Sequence, residues 1–171
     1  MYRRQRQMCI RDRSIEPPAP PGLEEFEGDW DTYQERIYGI FQTTIYNADL
    51  TFQGWKVGVK RLPEYKDKHF SFWHLTSEGE KEEERTPDLR RCERIRWVNW
   101  IIKNCDSHPG ISFWENKRGS QKHVVIWSEE HKYAVILAKR NGYYLLKTAY
   151  VVSERREISF RKERKEFIKK S

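Results

Sequence analysis

From residue 111 to residue 152 the chain runs through four stretches rich in apolar, β-branched and aromatic residues, with only short polar breaks between them. This pattern restricts the fold more than any other. The stretches span residues 111–117, 122–127, 132–139 and 143–152, and runs of that length and composition read as strands. Asn141 and Gly142 separate the last two. That dipeptide between apolar runs is the strongest short hairpin signal, because both central residues of the turn need positive φ. Residues 118–121 and 128–131 are the other two turns. Three hairpins in succession leave one arrangement for these strands, an antiparallel meander.

Ahead of the meander the period lengthens from two to that of a helix. Asp29 or Asp31 caps a first helix reaching about Asn47, with Tyr33, Ile37, Ile40, Phe41, Thr44 and Ile45 spaced by three and four. Residues 50–52 and 55–59 read as short strands, with Gly54 at the kink or turn between them. Residues 69–76 alternate in part and read as strand or loop, and the acidic run 78–84 reads as a solvated loop. Thr86 is a good N-cap, Pro87 suits the first helical position, and Asp88 suits the positive helix end. The second helix they start extends to about Asn104, where residues 106–110 stop it. A last helix over 154–170 is very basic, with Ile158, Phe160, Phe167 and Ile168 as its apolar anchors. The predicted class is α+β, with N-terminal helices packed on a four-stranded antiparallel β-meander and a C-terminal helix.

Aromatic residues make up 14% of the 171 residues and charged ones 35%, so a dense core must lie beneath a highly charged surface. Residues 29–171 form one domain, and 1–28 a basic tail with a proline-rich linker through Pro17, Pro18, Pro20 and Pro21. The formal charge is +7, but residues 1–13 hold five Arg and one Asp, or +4 of it, leaving only +3 for the rest. Those thirteen residues resemble translated adapter read-through, which would leave the natural N-terminus missing. The alternative is a basic arm that binds nucleic acid. Cys9, Cys92 and Cys105 are odd in number and widely spaced, which argues against a disulfide scaffold or a zinc site. No apolar stretch approaches the ~18 residues of a membrane span and no signal-peptide core follows the arginines, so the cytoplasm is the expected place of action.

The most informative cluster is TPDLRRCERIRW. On a helix, Arg90, Glu93, Arg94 and Trp97 fall on one side, with Cys92, Ile95, Val98 and Ile102 opposite. Arg90 and Arg94 are like charges four residues apart, which destabilises a helix unless something offsets it. Glu93 can take one guanidinium and a phosphate the other. The plainer reading is a solvated basic face with an internal Arg–Glu pair. His74, between Trp73 and Leu75, is shielded enough to titrate near neutrality and suit proton transfer, although a lone His is more often structural. His69, His108, His123 and His131 look ordinary. In the fourth strand Thr148 and Tyr150 share a face, and Lys147 joins them only if a bulge intervenes. Their hydroxyls are donors to a phosphate or base, or simply good strand formers.

The order FWHLTSEGE, then ERTPDLRRCERIRW, then a sheet ending in LLKTAY resembles the phage-associated nucleases of the barnase–EndoU–colicin–RelE class, over roughly Tyr33 to Lys165. TPDLRRCERI is the more specific motif. The resemblance implies helices before a four-stranded antiparallel sheet and metal-independent cutting of RNA, often as a toxin. The ribose 2′-OH attacks the adjacent phosphorus, leaving a 2′,3′-cyclic phosphate and a 5′-OH end, which excludes DNA. His74 then transfers the proton, Arg90 and Arg94 hold the phosphate, and Glu93 orients one of them or acts as base. Thr148 and Tyr150 add hydrogen bonds, and Thr76, Arg91, Trp97 and Lys147 are further substrate contacts. No metal or cofactor is implied. RNA is the implied partner, with an acidic antitoxin or immunity protein as a second. Two rivals stand beside this reading: a non-catalytic RNA-binding module, and a protein-interaction domain whose charges only solubilise.

Overall fold

A computed structural model describes residues 16–171, so the basic tail before them lies outside the described residues. Helix α1 (Trp30–Phe41) begins where Asp29 Oδ1 accepts the Asp31 and Thr32 amides, and it buries Tyr33, Ile37, Ile40 and Phe41. Its last turn widens into a π-turn over Gln42–Tyr46, where the Thr44 hydroxyl donates to the Ile40 carbonyl at 2.7 Å. A tight turn with positive φ at Gln53 and Gly54 joins β1 (Thr51–Phe52) to β2 (Trp55–Gly58).

The next segment departs from expectation. Residues 69–76 contain a helix, α2 (Phe70–Thr76), with Ser71, Phe72, Trp73, Leu75 and Thr76 buried. The Ser71 hydroxyl accepts the Lys60 amide at 2.7 Å, and the Phe70 and Ser71 amides donate to the Arg61 and Lys60 carbonyls. Tertiary anchoring of both the start and the buried face overrides the partial alternation of the sequence. Strands β3 (Ser77–Glu78) and β4 (Thr86–Pro87) pair across the acidic loop. Thr86 and Pro87 therefore belong to a strand, and the cap is Asp88, whose Oδ1 accepts the Arg90 amide at 3.0 Å. The expected single helix is two, α3 (Leu89–Glu93) and α4 (Ile95–Asn104), broken at Arg94 with φ −102 and ψ 14.

Strands β5 (Ile111–Arg118), β6 (Gln121–Ser128), β7 (Tyr133–Lys139) and β8 (Tyr144–Val151) are consecutive antiparallel neighbours, as their short turns required. The sheet does not stop at four strands. Its order is β1-β2-β8-β7-β6-β5, and β2 lies parallel to β8 with Val57 opposite Tyr144, so the sheet is six-stranded and mixed. An isolated two-stranded hairpin is marginal by itself, and the β1–β2 hairpin extends the meander at its β8 edge. Between Ile136 and Leu137 the register with β8 shifts, because Ile136 faces Thr148 while Leu137 faces Leu146. Lys147 is the extra residue of this β-bulge.

Both faces of the sheet are covered by helices. One packs Val124, Ile126, Val135, Leu137, Leu146 and Ala149 against α1, α2 and α4. The other holds Trp114, Val125, Trp127, Ile136 and Val152 beneath α5 (Glu154–Lys170). Phe160 is the anchor of α5, edge-on to Trp114 and Trp127 at 5.4 and 5.5 Å. Of the other expected anchors, Ile158 and Ile168 are exposed and Phe167 borders on it. The proline-rich segment lies against the domain, its Pro18, Ala19 and Pro21 carbonyls accepting from Trp97, Arg96 and Tyr33. Cys92 and Cys105 are buried free thiols, and burial pushes their pKa values up to about 12 and about 11. Among the described residues no helix is long and apolar enough to cross a membrane.

Two outcomes follow from this packing. Phe160→Ala removes the one fully buried ring of α5 and lowers stability by about 3–5 kcal/mol, visible as a lower urea midpoint at unchanged slope. A loss below ~1 kcal/mol means that α5 does not close this face. The second concerns His69, buried among Tyr38, Phe41 and Tyr46, with its pKa held below the usual histidine range by burial and by Arg61. The unfolded chain therefore takes up this proton first. The stabilisation is complete above the unfolded pKa of about 6.5 and is lost as pH falls below it toward the depressed folded value. His69→Phe flattens that acid limb of the stability curve, and an unchanged limb shows that His69 is not its source.

Candidate active face on strand β8

Strand β8 meets α2 and α3 beyond the end of β2, and Arg91 organises the junction. Its side chain is only 14% exposed. Nη1 donates to the His74 and Ser77 carbonyls at 3.3 Å each and to Thr148 Oγ1 at 3.4 Å, while Nη2 lies 3.4 Å from Glu78 Oε1. Nε is 3.5 Å from Asp88 Oδ2, close enough for charge pairing but without hydrogen-bond alignment. The Thr148 hydroxyl in turn donates to the His74 carbonyl at 3.0 Å. The guanidinium thus caps one carbonyl in the last turn of α2 and the Ser77 carbonyl just beyond it, where a helix end leaves acceptors unsatisfied and negative, while the Thr76 carbonyl accepts from the Asp88 amide. Arg91 also faces the Tyr150 ring at 5.8 Å.

His74 sits in the last turn of α2, half-buried, its ring stacked on Phe70 at 4.2 Å. Its backbone is thereby tied to Arg91 and Thr148. Tyr150 stands in register with Ala134 and Thr148 with Ile136, which puts both on the face that α5 covers farther along. Lys147, exposed at the bulge, joins that face and lies near His123. Strict alternation would have sent it to the opposite side, so the bulge supplies the condition under which Lys147, Thr148 and Tyr150 come together. The same shift sends Leu146 into the main core rather than beside Thr148.

The remaining residues of the expected site are divided from this group. Arg90 is 67% exposed, with Nε 3.8 Å from Asp88 Oδ1. Glu93 and Arg94 pair with each other at 3.6 Å, and the Arg94 guanidinium lies over Trp97 at 5.1 Å and donates to the Arg90 carbonyl. Trp97 is no open stacking platform: its Nε1 donates to the Pro18 carbonyl at 2.9 Å and its ring packs edge-on to Tyr133. The Thr76 hydroxyl is buried and donates to Phe72, which takes it away from any ligand. Beneath both arginine groups the buried Tyr133 hydroxyl has no hydrogen-bond partner among the described residues. Its pKa is raised, mainly by burial, with the charges of Arg91 and Arg94 opposing. Among the described residues no group of three or more His, Cys, Asp or Glu side chains is placed to hold a metal ion.

Sequence reasoning put Arg91 among the secondary contacts and missed its place at the centre of the junction. The helical wheel offered one signal, since Arg91 alone of the arginine pair at 90–91 points away from the Glu93–Trp97 side. It also passed over His123, whose alternation with Val125 and Trp127 places it on the same face as Tyr150.

Arg91→Lys keeps the charge but loses the fork that reaches four acceptors together, and should cost roughly 2–3 kcal/mol in urea unfolding. Thr148→Val alone costs about 1 kcal/mol and much less when Arg91 is already Lys, because the two share the His74 carbonyl. Strict additivity of the two changes would show that the junction is not one network. No protein-family model matches the chain, and neither a curated protein nor a solved structure matches it.

Proposed function

We propose that this chain is a metal-independent, toxin-like endoribonuclease of the phage-associated barnase–EndoU–colicin–RelE kind, cutting RNA by transesterification from the 2′-OH. The observation that carries the reading is the β8 bulge, which sets an exposed Lys147 beside Thr148 and Tyr150 next to a histidine-bearing helix end. Cleavage needs a proton acceptor for the 2′-OH, a donor for the departing 5′-oxygen, and fixed positive charge for the phosphorane. His74 handles the proton. Lys147 supplies the accessible cation, and the Tyr150 hydroxyl, without a hydrogen-bond partner among the described residues, donates to a non-bridging oxygen. Arg91 and Thr148 are positioning residues, because both hold the backbone of the turn that presents His74. An acidic antitoxin or immunity protein covers the cationic face, and the protein acts in the cytoplasm.

A second reading is favoured by the way Arg91 is engaged with backbone carbonyls and Glu78 rather than left open. It makes the chain an RNA-binding module that does not cut. Incubation with total RNA in excess EDTA separates the two. The nuclease yields fragments ending in 2′,3′-cyclic phosphate and 5′-OH, spares a substrate carrying 2′-deoxyribose at the cut, and loses about 10²–10⁴-fold in rate with His74→Ala. Salt-sensitive binding without new ends, in wild type and variant alike, selects the binding module.

A further inference from the structure

The same face of the sheet carries a second cluster, which shares only Lys147 with the group around Thr148. His123 lies on β6, on the same face as Val125 and Trp127, across from Asn116 on β5 and Ala138 on β7. Val125 and Trp127 share a core with Phe160 of α5. His123 lies one row farther along, half-buried, with both ring nitrogens shielded from solvent and without a hydrogen-bond partner among the described residues. A polar atom shielded in this way destabilises the fold unless a ligand or water completes it.

Three cations from three elements lie around this position: Arg118 at the end of β5 and Arg140 just after β7 are each two residues beyond a residue that faces His123, namely Asn116 and Ala138, and Lys147 sits at the β8 bulge. None is paired with a carboxylate among the described residues, and the one side-chain hydrogen bond among them runs from Arg140 to its neighbour's carbonyl. Burial above all, and then the charges of the three, hold the His123 pKa below the usual histidine range. On the β5 side, Asn116 donates to Glu163 at 3.0 Å, and Glu163 also accepts from Trp114, so that carboxylate is already engaged. Arg118 also lines a cavity with Glu163 and Glu166 of α5, with neither at ion-pair distance. Like charges around a shielded imidazole repel one another, and an anion relieves this by accepting from the guanidinium forks and letting the ring take a proton.

We propose that His123, Arg118, Arg140 and Lys147 form a phosphate-binding subsite on the open half of the sheet, taking a backbone phosphate of the RNA. The register places it two strands from β8 and about two residues along from Thr148, on the order of 10 Å away, with Lys147 between the two groups. It is therefore a second anchoring point, not part of the group around Arg91. The RNA identity of the ligand rests on the ribonuclease reading, whereas the phosphate chemistry rests on these four residues.

The test is a titration of the full chain with inorganic phosphate at low, constant ionic strength, followed by NMR of histidine ring resonances. The expected result is a saturable shift of the His123 resonance, with an apparent pKa that rises as phosphate binds. Arg118→Gln and Arg140→Gln, both at the sheet margin, should each weaken phosphate binding about tenfold. A response that never saturates and is equal at every histidine overturns the assignment, as does one unchanged when both arginines are replaced. The two proposals fail separately. Saturable phosphate binding by a protein that leaves RNA intact removes the nuclease and keeps this subsite. Cleavage at the wild-type rate and KM by His123→Gln, with no saturable shift in the parent chain, does the reverse.

Discussion

A short helix that ends beside a sheet must have its last carbonyls satisfied, and in this protein the Asp88 amide takes that of Thr76 while one guanidinium ties that of His74 to the sheet. Arg91 joins the end of α2, strand β3 and strand β8, while Thr148 adds a second donor to the same His74 carbonyl. The joined groups are far apart in sequence, 74 residues in the case of Thr148 and His74. A seven-residue helix has no stability of its own in water, so α2 exists because its buried face and its end are both held. Whatever chemistry His74 performs depends on that hold. A guanidinium with this many partners is a structural element first, and the free cations of the face must come from elsewhere.

They come from the edge of a sheet whose regular pleat is broken once. Had β8 alternated strictly, Lys147 would stand on the side of the main core, where a charged amine is strongly disfavoured. The bulge resolves that conflict by sending Leu146 inward and leaving Lys147 with Thr148 and Tyr150. Sequence and packing agree on this local irregularity, and its result is a polar row on an otherwise apolar surface.

The helix α5 divides the same surface. Phe160 seals Trp114 and Trp127, while Glu163 and Arg164 tie the helix to Asn116, Trp114, Ser112 and Glu129. His123, although in line with the covered residues, is left among cations at the uncovered end. The sheet thus has a closed part that stabilises and an open part that carries charge. Loops and open surfaces set on a rigid scaffold are where function concentrates.

The local signals of the chain were legible from sequence because they depend on residues close to one another. Asn141-Gly142 with its positive-φ glycine, the alternation of β5 to β8, the Asp29 cap and the opposed faces of Cys92, Ile95 and Val98 are all interactions within a few residues. Sequence alone therefore determined the four consecutive antiparallel strands β5 to β8, the helices α1 and α5, and the α+β class. Tertiary structure decided the rest: that 70–76 is helical, that β2 joins β8 in parallel, that Thr86 and Pro87 pair with 77–78 rather than start a helix, and that Arg91 rather than Arg90 or Arg94 turns toward β8. Each of these rests on a partner distant along the chain, where local propensity is too weak to compete with packing and with the satisfaction of buried polar groups.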